Sequence, residues 1–170
     1  MRRLITVTGP DRPGLIAAIS RVLADAGADL EDISMTRLSG NFAMILVARH
    51  GDEAPIREGL DDASRRLGLF IHVEPSVETP EEQEANGFVS AVGPNRIGIV
   101  AAVSKVLADH GANILEMNTR LLEKTEVPVY FVRIEALIPK EWDALARELC
   151  AVGAQLGIEV RLEPLEQSEL

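Results

Sequence analysis

The stretch TGPDRPGLIAAISRVLADAGADL, residues 8–30, returns at residues 92–114 as VGPNRIGIVAAVSKVLADHGANI. At an offset of 84, Gly9 meets Gly93, Pro10 meets Pro94, Arg12 meets Arg96 and Gly14 meets Gly98. The match continues through Ala17-Ala18 and Ala101-Ala102, Ser20 and Ser104, and Gly27-Ala28 and Gly111-Ala112. A one-residue gap then aligns Thr36-Arg37-Leu38 with Thr119-Arg120-Leu121. Identity at a fixed offset marks duplication of a whole unit, and two copies make a pair rather than a solenoid. Whatever fold one copy takes, the other must take as well.

The copies share one element order. In the first, residues 4–8 have the composition of a short strand. A helix is expected from 13 or 14 to 26, with Ile16, Ile19 and Leu23 at helical spacing and Gly27 as its stop. Two β-rich runs, 30–38 and 42–49, flank Ser39-Gly40-Asn41, a hairpin signal. A second helix over 54–67, with Pro55 in its first turn, leads to a last strand over 69–74. The second copy predicts strands over 88–92, 114–122, 127–137 and 158–162, and helices over 97–110 and 139–155, with a turn at 123–126. The proline- and acid-rich run 75–86 separates the copies. Domain 1 is expected over 1–76, a linker over 77–86, domain 2 over 87–165 and a tail over 166–170. A βαββαβ unit of this size folds as a ferredoxin-like sandwich, so the class is α+β. Each unit is a four-stranded antiparallel sheet with both helices on one face. Units of about 80 residues are marginal alone, which favours pairing.

Composition narrows the function classes. Hydrophobic residues reach 46%, enough for a packed core, while aromatics at 4% leave that core to aliphatic side chains. The formal net charge of −10, without a basic patch, argues against direct contact with nucleic acid or an anionic membrane. The single cysteine, Cys150, forms no internal disulfide and is expected to pack as a small, buried or half-buried residue. No leader or membrane span is read, so the expected compartment is the cytoplasm. His50, His72 and His110 are scattered, and no metal-binding, phosphate-binding or dinucleotide motif occurs. Neither metal nor cofactor is expected. Ser20 and Ser104 fall in mid-helix as packing residues, Trp142 reads as a packing anchor, and no nucleophile–base pair supports an enzyme.

The repeated turn carries what chemistry there is. In GPDRPG, Pro13 suits a first helical position, which puts Asp11 at or just before the N-cap. On one account the turn only caps a helix. On the other it holds a small ligand: free amides at the helix start receive a carboxylate, and Asp11 or Asn95 fixes an ammonium. The starts of the next strands add Asp29 and Asn113 at matched positions.

These residues resemble the ACT domain, an amino-acid-sensing regulatory module, and the resemblance covers nearly the whole chain as a tandem pair. Within that family the chain is similar to two-ACT proteins of the glycine cleavage system transcriptional repressor type. The resemblance implies effector binding between paired units, at the turn after the first strand and the start of the second. It marks Asp11, Pro13, Gly14 and Asp29 in the first copy, and Asn95, Ile97, Gly98 and Asn113 in the second. Asparagine both donates and accepts, so Asn95 and Asn113 suit an α-carboxylate and ammonium together; Asp11 and Asp29 are acceptors only and would repel a carboxylate. The second copy is therefore the expected carboxylate site, although Ile97 stands where the first copy has Pro13. A ligand such as glycine has so few heavy atoms that, at a ceiling of roughly 1.5 kcal/mol per atom, its affinity stops near the micromolar range. The implied function is a non-catalytic regulator, expected as a homodimer, that binds an amino acid such as glycine or serine. It would control a partner protein, for instance a DNA-binding regulator of glycine cleavage or amino-acid metabolism. The alternative is an interaction module without a small ligand.

Overall fold

A computed structural model of the protein describes residues 1–49, 53–76, 83–123 and 128–165. His50, most of the 123–126 turn, part of the linker and the tail 166–170 lie outside the described residues. The chain divides into two compact units, Met1–Pro80 and Glu81–Leu170.

The first unit runs β1 (Arg2–Pro10), α1 (Leu15–Asp25), β2 (Asp29–Leu38), β3 (Asn41–Arg49), α2 (Glu53–Leu67) and β4 (Phe70–Pro75). The second runs β5 (Gly87–Pro94), α3 (Ile99–Asp109), β6 (Asn113–Leu122), β7 (Val129–Leu137), α4 (Trp142–Leu156) and β8 (Glu159–Pro164). Each unit is βαββαβ, with an antiparallel sheet in the order β2-β3-β1-β4 or β6-β7-β5-β8. Two ferredoxin-like α+β units, expected from the repeat, are what the chain forms.

Alternation along the strands sets the helix face. Ile5 and Val7 on β1, with Phe42, Met44, Leu46 and Ala48 on β3, are buried beneath Leu15, Ile19 and Leu23 of α1 and Ile56 and Leu60 of α2. Val89, Val132, Ile134 and Ala136 form the matching floor beneath Ile99, Val103, Leu107, Leu145 and Leu149. The buried stripe of α1 steps by four residues, which leaves Ile16 41% exposed rather than in the core. In α4 the stripe is Leu145, Leu149 and Gly153. Cys150 sits one residue, about 100°, beyond Leu149 and is exposed, contrary to the packing role expected for it. Trp142 does pack against the core, and its ring lies close over Gly87.

The hairpin at Ser39-Gly40 has φ of 50° and 76°, the left-handed pair that a two-residue turn between twisted strands requires. Helix starts differ from expectation. Leu15 and Ile99 begin α1 and α3, and Trp142 begins α4, so Pro13 and Pro139 precede their helices. At the first two, the N-caps are Gly14 (φ 89°) and Gly98 (φ 93°), without a side-chain cap. Asp11 is thus not a capping residue.

The register corrects one alignment. Both second strands carry a bulge at the same place, between Leu30 and Asp32 and between Ile114 and Glu116. Beyond it Arg37 pairs with Phe42, whereas Leu121 pairs with Tyr130 and Arg120 with Phe131. Gly9 faces Phe42 and Gly93 faces Tyr130, so the offset of 84 persists and no gap is needed. Arg37 corresponds to Leu121. Arg120 is one residue out of step and therefore on the opposite face of its sheet.

Gly9 and Gly93 are where the first strand passes closest to the end of the second helix. A Cβ on Gly9 would meet the flexible end of Leu69 at 2.7 Å, while one on Gly93 would meet Ile158 Cβ at 2.9 Å and its Cα at 3.0 Å. Gly93→Ala is expected to destabilise by about 1–3 kcal/mol, and Gly9→Ala by less, because a side-chain end yields where backbone does not. Urea unfolding of the two variants checks the order.

Candidate functional site

The turns between first strand and first helix are built alike. Arg12 Nη2 donates to the carbonyl of Leu67, the last residue of α2. The Arg96 guanidinium lies over Gly157, where a Cβ would approach it at 3.5 Å, at the C-cap of α4. A cation at a helix C-terminus meets unpaired carbonyls and the negative end of the helix dipole. The arginine common to both copies therefore ties the turn to the second helix. With the glycines at 9 and 93 and the left-handed caps at 14 and 98, this gives three of the four residues shared at each turn a structural role, Pro10 and Pro94 apart.

The other side of each turn is open. In the first unit an open groove of ≈ 610 Å³ is lined by Asp11, Arg12, Pro13 and Gly14 from the turn, Leu15 to Ala17 from α1, and Met35, Arg37 and Phe42 from the sheet. The Asp11 amide donates to the Gly40 carbonyl at 2.9 Å, fixing the turn on the hairpin. The Asp11 carboxylate, with a side chain 19% exposed, pairs with Arg37 Nη2 at 2.5 Å. The first intrahelical bond is Ala18 N–H to the Gly14 carbonyl. The amides of Leu15, Ile16 and Ala17 have no partner within the helix and lie along the same groove. In the second unit a smaller groove, ≈ 450 Å³, is lined by Pro94, Asn95, Leu121, Glu123 and Pro128. Ile97 is wholly exposed at its turn, and Gly98 is the helix cap.

Six of the eight residues singled out from sequence thus fall at the two turns. Asp29 and Asn113 do not. Asp29 is level with Arg49 and so with Arg2, at the far end of the sheet from Asp11. Asn113 pairs with Leu137, likewise away from Pro94. At about 3.3 Å per strand residue, the two anchors of each copy are roughly 25–30 Å apart within their unit. Asn113 Nδ2 donates to Gln83 Oε1 at 2.7 Å. Near Asp29, Glu31 pairs with Arg2 and with Arg49. Two aspartates do not therefore face one carboxylate in the first unit: one is distant, and the other is paired with a cation. Arg37 is the groove residue that the sequence reading missed. The unbroken offset, which matches Asp32 with Glu116 and Ile33 with Met117, was the signal for it.

Among the described residues no group of three or more His, Cys, Asp or Glu is placed to hold a metal. No helix among them is long and apolar enough to cross a membrane. His110 Nε2 lies 2.8 Å from Glu148, a contact between α3 and α4 away from the turn.

Two ferredoxin-like units, each with an open groove at the turn after its first strand, define a tandem α+β protein. The chain belongs to the ACT domain family, whose model matches residues 2–74 and 88–163, and is a tandem member of this regulatory family. It is 40% identical over 77 residues to UPF0237 protein MK1213 of Methanopyrus kandleri, across 43% of this chain and 86% of that one. Its fold is similar to that of an unknown protein from Galdieria sulphuraria, with a TM-score of 0.81 and 27% identity over 96% of this chain and 98% of that one. It also matches the fold of a candidate glycine cleavage system transcriptional repressor, with a TM-score of 0.68 and 15% identity over 96% of each chain.

Arg12→Ala removes the tie between turn and helix and is expected to cost roughly 1 kcal/mol. Arg12→Lys, which keeps the charge, should cost less. Chemical denaturation gives both values, and an unchanged midpoint for Arg12→Ala would show that the tie contributes nothing.

Proposed function

We propose that the protein is a non-catalytic regulator that binds a small free amino acid at its β1–α1 and β5–α3 turns and acts on a partner protein by contact. The observation that carries this is the groove at the turn after each first strand, lined in the first unit by the start of α1, with a polar residue (Asp11 or Asn95) in each lining. Membership of the ACT family, twice over, supports the sensing role. The fold shared with a candidate glycine cleavage repressor makes a transcription-related partner, such as a DNA-binding regulator, the first to test. A net charge of −10 supports control through that partner rather than by direct contact with nucleic acid or membrane, in the cytoplasm.

The separation of the anchors supports a site completed by a second chain. β2 and β6 are edge strands, and β2 is exposed along nearly all its length. Ile33 and Met35, each about two-fifths exposed, share the helix face of this edge with Ile16 of α1. Like edges of two chains laid antiparallel would set the start of one strand beside the end of the other. Asp29 of one chain would then lie near Asp11 of its partner, and Asn113 near Asn95 in the same way. A homodimer of this kind puts effectors at the junction of paired units.

Titration calorimetry of the full chain against glycine, serine and the other common amino acids is expected to give binding at about micromolar affinity or weaker. Asn95→Ala or Asn113→Ala should weaken whatever the second unit binds while changing stability little. Silence across the panel would leave the chain an interaction module whose turns only begin helices.

A further inference from the structure

We infer that Arg37, with Asp11, makes the first unit's groove specific for a zwitterionic amino acid with an apolar side chain. This rests on the amino-acid reading of the turn and goes beyond it by assigning the ligand class and the residue that sets it.

Three observations converge on the groove. First, it holds one fixed pair of opposite charges, the Asp11 carboxylate and the Arg37 guanidinium, 2.5 Å apart. The Asp11 side chain is mostly covered, whereas that of Arg37 is 68% exposed, so a ligand can reach its guanidinium from solvent. The other arginine in the lining, Arg12, donates to the Leu67 carbonyl. Second, the walls between this pair and α1 are apolar: Leu15, Ile16, Met35 and Phe42. Ile16 and Met35 are each 41% exposed, so the groove presents apolar surface that a ligand side chain can cover. Third, the second unit has Asn95 and Leu121 at the corresponding places, so the charge pair is a property of one copy alone.

An α-amino acid carries the complement of this arrangement. Its ammonium replaces one hydrogen-bond donor to Asp11, and its carboxylate takes the fork of Arg37, which binds carboxylates through two parallel N–H bonds. The amides at the start of α1 face the same anion. Insertion between the pair exchanges one ion pair for two, so neither charge is left bare. A ligand with only one of the two charges leaves Asp11 or Arg37 uncompensated. An apolar side chain covers Ile16 and Met35, a contact that glycine and serine lack.

The test uses the full chain with L-leucine, L-methionine and glycine, and with leucinamide and 4-methylpentanoate, which lack the carboxylate and the ammonium respectively. Leucine or methionine should bind more tightly than glycine, and each single-charge analogue about ten- to hundred-fold more weakly than leucine. Arg37→Leu, the residue type of the second unit, should lower leucine affinity by a similar factor, and Arg37→Lys by less. Asp11→Asn should weaken leucine binding and leave that of 4-methylpentanoate unchanged or improved. Arg37 is exposed and Asp11 half-buried, and a circular dichroism spectrum unchanged from that of the parent confirms that the variants fold. Equal binding of leucine by the parent and Arg37→Leu, or of leucine and leucinamide by the parent, overturns the assignment. Glycine or serine binding tighter than that of leucine and lost in Arg37→Leu would also overturn it, while sparing the broader amino-acid reading. No binding of any amino acid by the parent chain sinks both.

Discussion

The structure depends on one close approach, made twice. The first strand of each unit passes the end of its second helix at a glycine, Gly9 against Leu69 and Gly93 against Ile158. An arginine three residues on reaches the same helix end, through the Leu67 carbonyl in one unit and over Gly157 in the other. Between them these contacts fix the back of the turn to the rest of the unit. The first helix can then start from a left-handed glycine, with no side chain covering its amides. A turn held from behind and open in front offers a groove on a rigid base, the arrangement binding sites need.

The shared back explains why the front is free to vary. Gly9, Arg12 and Gly14, with their counterparts, are set by packing and backbone geometry, so both copies keep them. Asp11 and Asn95, Pro13 and Ile97, and Arg37 and Leu121 surround the open side and differ. The first groove carries a charge pair over apolar walls, and the second the Asn95 amide with Leu121 and Glu123 and no cation among its described residues. One fold thus presents two chemically distinct grooves. Asp29 and Asn113 stand at the opposite ends of the sheets, away from both grooves.

Most of the fold was legible in the amino-acid order because helical and strand periods alternate cleanly between glycine stops, and because each copy repeats the other. What was not legible came from choices that local pattern leaves open. Pro13 favours a first helical position, yet the backbone spends two residues turning through Gly14, so the helix begins at Leu15. Asp11 has the chemistry of a cap but finds a full charge in Arg37 instead. The identity of Thr-Arg-Leu in both copies suggested a gap, whereas strand register preserved the facing of Phe42 and Tyr130 and moved Arg120 to the other face. A one-residue difference in register decides which side of a sheet a charge occupies, and identity over three residues is too short to set it. The turns as candidate sites were therefore visible beforehand. The cation beside one of them, and the distance from each to its second anchor, required the paired strands.

The central claim is that a free amino acid lodges against the start of the first helix, and amide chemical shifts of the 15N-labelled chain report on it most directly. Titration with L-leucine should move the amide resonances of Gly14, Leu15, Ile16 and Ala17, and the side-chain resonance of Arg37, along one saturable curve. Shifts absent from the turns of both units, or confined to surfaces away from them, would contradict the account.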